Sequence, residues 1–153
     1  MLVSLGAIAL IATLLGVGFS RLFPYQFSWF LQLRRPKWLT FEPLIPLIWI
    51  GIFICGICSA NYAWQSRANW LIMSAYGILE LLILAYTPTL CRLRSLTAGT
   101  VVAALGLGWG LALTLQVAAI APMAAWLLLP YLLWSPIGTY VTWSMIKLNP
   151  QAR

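Results

Sequence analysis

Residues 95–146 read SLTAGTVVAALGLGWGLALTLQVAAIAPMAAWLLLPYLLWSPIGTYVTWSMI, and the stretch contains no charged side chain. A helix needs roughly 20 apolar residues to cross the hydrocarbon of a bilayer. The stretch is too long for one crossing and right for two. Pro122 removes a helix hydrogen bond near its middle, so the turn is expected at residues 119–123, with spans at 95–118 and 123–147. A barrel is excluded, because membrane strands alternate apolar and polar residues over about ten positions. Runs such as AALGLGWGLAL do not alternate.

The rest of the chain repeats the pattern. Residues 2–20 and 44–65 are uncharged, and residues 68–91 are interrupted only by Glu80. Residues 21–43 carry Arg21, Arg34, Arg35, Lys37 and Glu42 and form the one sizeable loop. The first run lacks a basic n-region and is long for a signal peptide, so it is expected to be retained as a span. The expectation is an all-α integral membrane protein, a single domain over residues 1–153 built as a five-helix bundle.

Composition agrees. Of 153 residues, 63% are hydrophobic and 7% charged, whereas a soluble domain carries about a quarter charged residues. The net charge of +7 is spread singly or in small groups between apolar runs, where it meets lipid headgroups. No soluble segment is long enough for a basic nucleic-acid-binding face, so nucleic acid is not an expected partner and the lipid bilayer is. With Arg21, Arg34, Arg35, Lys37, Arg92, Arg94, Lys147 and Arg153 on one side and Arg67 alone on the other, the positive-inside rule puts the N-terminus out and the C-terminus in. The expected location is a bacterial cell membrane.

The chain has 9 Trp. Trp29, Trp38, Trp70, Trp126 and Trp143 fall near span ends and suit an interfacial belt. Trp49, Trp109 and Trp134 fall deeper, where an indole N–H wants a partner, and point to an interior pocket. Glu80 lies mid-span, where a carboxylate is costly and is by default a functional candidate; a packed structural role is the alternative. It is expected to be protonated or hydrogen-bonded at neutral pH. Cys55 and Cys58 form a C-x-x-C inside a span, but with no His and one other Cys, Cys91, zinc lacks ligands, and small buried side chains are the better reading. Neither a metal site nor a catalytic constellation is expected. Gly106 and Gly110 form a GxxxG, with Gly99 and Ala103 before it, which permits close helix approach either within the bundle or between subunits. Pro130 and Pro136 favour kinks in the last span.

Residues 29–49 read WFLQLRRPKWLTFEPLIPLIW. With Thr87-Pro88, then Pro130-Tyr131-Leu132-Leu133-Trp134 and Lys147-Leu148-Asn149, this stretch resembles the translocator protein/tryptophan-rich sensory protein (TspO/MBR) family. Trp29, Phe30, Leu33, Pro36, Trp38, Pro46 and Trp49 fall on that family's signature without a gap, and the likeness runs over nearly the whole chain. It departs from the pattern at Ile83 and Tyr86, where the family carries Asn and Trp, and at Val141-Thr142, where it carries Leu-Asn. Trp143 replaces the Tyr of the family's cholesterol-recognition element, so steroid binding is not implied.

The resemblance implies a pocket opening toward the first loop and covered by it, a porphyrin or heme-like flat ligand, no other cofactor, and a homodimer. It implies ligand-binding roles for Trp49 and Trp134, with Tyr86 in place of a pocket-wall Trp. Trp38 and Glu80 join these as candidates, Glu80 as a polar group relocated one turn from Ile83 in the same pocket. Arg34, Arg35 and Lys37 either meet propionate carboxylates or serve as positive-inside anchors. A sensor or binder is the leading reading. The competitors are a transporter, a porphyrin-degrading enzyme using Trp49 and Trp134 as electron-rich partners, and a structural membrane partner. No inverted repeat favours the transporter, and an enzyme is the less expected outcome.

Overall fold

A computed structural model describes residues 2–24, 26–67 and 69–152. Six α-helices and two 3-10 turns make up the described fold: α1 (Leu2–Leu22), α2 (Phe27–Leu31), α3 (Ile45–Ser66), α4 (Trp70–Leu93), α5 (Leu96–Ala118) and α6 (Pro122–Leu148). The turns are Glu42–Leu44, which feeds α3, and Pro150–Ala152 after α6. The five long helices are each apolar and long enough to cross a membrane, and the protein is a multi-pass integral membrane protein. The expected start of the third span at Ala68 lies outside the described residues, as does Arg153.

Local chemistry explains the helix ends. Pro46 sits in the first turn of α3, where its missing N–H costs nothing. Asn69 caps α4 by accepting a hydrogen bond from the Leu71 N–H at 2.8 Å. Arg94 ends α4 in the left-handed region at φ 50, and Ser95 at once caps α5 by accepting from the Ala98 N–H at 3.2 Å. Two residues thus reverse the chain. At the other reversal the expectation needs correction. Pro122 does not break a helix but begins one, as the first residue of α6, and the turn is confined to residues 119–121. A further correction is α2, a short helix inside the loop that the charge pattern had hidden.

Neighbour relations form a ring. α1 packs on α3, α3 on α6, α6 on α5, α5 on α4, and α4 closes back on α1. Small residues set the closest approaches. A Cβ added to Gly99 would lie 2.6 Å from Leu90 Cδ1 of α4, one on Gly106 would lie 2.9 Å from the Tyr131 hydroxyl, and one on Gly110 would overlap the Tyr131 ring. The glycine face therefore packs within the bundle, against α4 and α6. Leu79, Leu113, Leu128 and Tyr131 belong to the main core, and Leu33, Leu90, Cys91, Leu96, Met145 and Ala152 to a second core at the first-loop end. Large apolar side chains such as Leu14, Ile54, Leu115 and Leu133 point outward, which suits lipid rather than water. α1 joins the ring chiefly at its rim, where Ser4 Oγ donates to Asn61 Oδ1 at 2.8 Å.

Candidate functional site

Beneath the first loop, the long helices border a half-open cavity of about 430 Å³, within the range of small-molecule pockets. Its side walls are aromatic. Trp49 comes from α3, Tyr86 from α4, and Tyr131 and Trp134 from α6. Tyr131 and Trp134 are three residues apart and so share a face of α6. Gly110 lets α5 approach close enough for the Tyr131 ring to rest on it, and Gly106 makes room for the hydroxyl. Phe41 meets Trp134 edge-on at a centroid distance of 6.2 Å, which fixes the indole from the loop side.

The roof is held by two sets of polar contacts. Arg35 Nε donates to Glu42 Oε1 at 2.9 Å, and its Nη1 donates to the Phe30 carbonyl at 3.0 Å. The guanidinium also lies 4.3 Å over the Phe30 ring. Both ends of this ion pair border the cavity. Behind it, buried Asn149 accepts from the Arg34 N–H at 2.8 Å and donates through Nδ2 to the Arg34 carbonyl at 3.0 Å and the Met145 carbonyl at 2.9 Å. The loop is thereby latched to the end of α6.

On the wall, the Tyr86 hydroxyl and Thr142 Oγ1 lie 2.5 Å apart. Thr142 Oγ1 donates to the Gly138 carbonyl at 3.1 Å, which leaves Tyr86 as the donor to Thr142. Tyr86 and Thr142 are two of the positions at which this chain departs from the pattern it resembles, and they meet in space. These two departures form one unit: a phenol reaching a hydroxyl.

The expected site residues do not all converge. Trp49, Trp134, Tyr86 and Arg35 line the cavity. Glu80 does not; it lines a second cavity of about 280 Å³ toward the opposite membrane face, together with Trp64, Trp70 and Tyr76. Ile83 lines both. Three residues along a helix are about 4.5 Å of rise and 60° of rotation, enough to move the carboxyl out of the upper chamber. Trp38 is exposed and stacks at 5.7 Å on Tyr140, outside the cavity, whereas its neighbour Leu39 is buried and lines it.

Trp109 also departs from expectation. It is exposed on the outer surface, and its Nε1–H donates to the Ala75 carbonyl of α4 at 2.9 Å. The deep indole finds its partner on a neighbouring backbone, not in a pocket. Arg34 and Lys37 are exposed and stand off the cavity wall, in keeping with the anchoring alternative. Tyr131, Asn149, Glu42 and Thr142 were missed as site residues. Tyr131 and Asn149 had a signal, since both lie in the motifs that carry the resemblance. The three cysteines are free thiols, and the described residues contain no group of His, Cys, Asp and Glu able to hold a metal.

Comparison with known proteins gives one answer. The family model described as TspO/MBR family matches residues 7–148. The chain is 27% identical over 135 residues to the tryptophan-rich protein TspO of Bacillus cereus, covering 85% of this chain and 86% of that one. It is 28% identical over 143 residues to the tryptophan-rich protein TspO of Chlorobaculum tepidum, covering 89% and 90%.

Proposed function

The chain belongs to the TspO/MBR family, and from that premise we propose that it is a membrane sensory or binding protein for porphyrins or similar flat hydrophobic ligands. The observation that carries the reading is the larger cavity, whose aromatic walls stand under the Arg35–Glu42 ion pair. Flat π-systems stack on indole and phenol faces with a gain of about 0.5–1.5 kcal/mol per pair beyond burial. Arg35 supplies a fork matched to a carboxylate, and a ligand acid would compete with Glu42 for it. The pocket supplies binding and orientation, and binding is the activity proposed.

The charge bias places the first-loop side and the C-terminus in the cytoplasm of a bacterial cell in this reading. The homodimer implied by the resemblance remains part of it. Gly99, Gly106 and Gly110 are already occupied inside the bundle, so the dimer contact would use another face.

Titration of the purified protein with protoporphyrin IX, followed by tryptophan fluorescence, tests the proposal. Trp49→Ala and Trp134→Ala should each weaken binding by about 1–3 kcal/mol, the scale of one lost stacking surface. Trp126→Ala, on the exposed start of α6, should leave affinity unchanged. Equal losses at all three positions would mean general destabilisation and would remove the pocket from the account.

A further inference from the structure

Glu80 is the one acidic residue within the five long helices, and the cavity it lines is apolar in almost every other respect. Ile8, Ile52, Phe53 and Leu79 are typical of the walls, which come from α1, α3, α4 and α6. Two of the other polar side chains there, Ser4 and Tyr76, are engaged elsewhere. Ser4 Oγ donates to Asn61, and the Tyr76 hydroxyl lies 2.6 Å from Ser59 Oγ, which itself donates to the Ala124 carbonyl at 2.7 Å. Among the described residues, no hydrogen-bond or ion-pair partner engages the Glu80 carboxyl.

A carboxylate facing hydrocarbon is costly unless it takes up a proton or a cation comes to it. Among the described residues no Lys or Arg does so, because each of them sits at a helix end or in a loop. A ligand can supply what the chain lacks. We infer that this cavity is a second ligand site, distinct from the aromatic cavity under the first loop, and that it takes a small hydrophobic amine. The ammonium pairs with Glu80 through a charge-assisted hydrogen bond, and the apolar body fills the walls.

Size and charge both narrow the class. At about 280 Å³ the space lies at the lower edge of small-molecule pockets, which suits one or two fused rings and not a macrocycle. Glu80 can serve an amine as its counter-ion but offers a ligand acid none, whereas Arg35 above can serve an acid. Phe53, Ile83 and Tyr131 border both cavities, so one layer of side chains separates two sites of opposite preference. The inference does not depend on the porphyrin reading.

The test uses 1-naphthylmethylamine, which is fluorescent, and the matching alcohol, 1-naphthylmethanol. Each is dialysed to equilibrium against the full-length protein in detergent micelles, with empty micelles as reference. The amine should bind saturably, and Glu80→Gln should weaken it by about tenfold or more. The alcohol should bind weakly and be indifferent to that substitution. Gly77→Leu is an independent variant: Gly77 lines the cavity, and a Cβ there meets nothing within 4 Å. It should fill the space and abolish amine binding with Glu80 intact. Protoporphyrin binding should survive both substitutions. The inference is overturned if the amine does not saturate, binds Glu80→Gln as well as the parent, or is unaffected by Gly77→Leu. Should Glu80→Gln fail to fold, the amine–alcohol pair and Gly77→Leu still decide.

Discussion

Replacing Asn149 by Ala should release the roof of the aromatic cavity. The buried amide makes three hydrogen bonds, two of them to the backbone of Arg34 and one to the Met145 carbonyl. Each is worth about 0.5–1.5 kcal/mol net. The Met145 bond lies within the end of α6, so the two Arg34 bonds carry the loop contact, about 1–3 kcal/mol together. That energy resides in the loop-to-α6 contact and not in the α5–α6 interface. Hydrogen exchange should therefore accelerate roughly 5- to 150-fold at the Arg34 and Leu39 amides, while core amides of α5 stay protected. Asn149→Asp is the sharper variant. It can still accept from the Arg34 N–H, but it turns two donations into an anion facing two carbonyls, and it should be at least as disruptive as Ala. Unchanged exchange at Arg34 and Leu39 in both variants would refute the latch.

Two further outcomes follow from packing and charge. Gly110→Ala should lower thermal stability by about 1–3 kcal/mol, because its Cβ collides with the Tyr131 ring. Gly108→Ala, two residues away with nothing near its Cβ, should be neutral or stabilising by up to about 1 kcal/mol; similar losses at both would end the account of the glycine face. A reporter fused after the last residue should be active only in the cytoplasm, as the distribution of Lys and Arg requires, and a periplasmic signal would reverse the orientation.

The five spans were legible because length and hydropathy are enough to identify a membrane helix, and residues 95–146 could be divided in no other way. Helix ends were less so. Pro122 marks both a break and a beginning, and only the backbone distinguishes them. The ring order was not legible at all. In a soluble bundle the polar face of each helix says which side is out; here Leu133 on the outside and Leu128 in the core are chemically identical. For the same reason Trp109 and Trp134 read alike in sequence, although one bonds a neighbouring helix from outside and the other walls a cavity. The candidate site was half legible. Trp49, Trp134, Tyr86 and Arg35 come together around one space, whereas Trp38 turns outward and Glu80 drops into another chamber. A periodicity of 3.6 residues gives a side chain's direction, but one turn of depth decides which of two stacked cavities it meets.

The aromatic cavity is the centre of the account, and locating a bound porphyrin tests it most directly. Zinc protoporphyrin IX carries a metal whose anomalous X-ray signal marks the macrocycle independently of the surrounding density. Crystals grown with it should give one zinc peak per chain between Trp49 and Trp134, below the Arg35–Glu42 pair. A peak confined to the outer helix surface or to the Glu80 cavity, with none between those two indoles, would contradict the account.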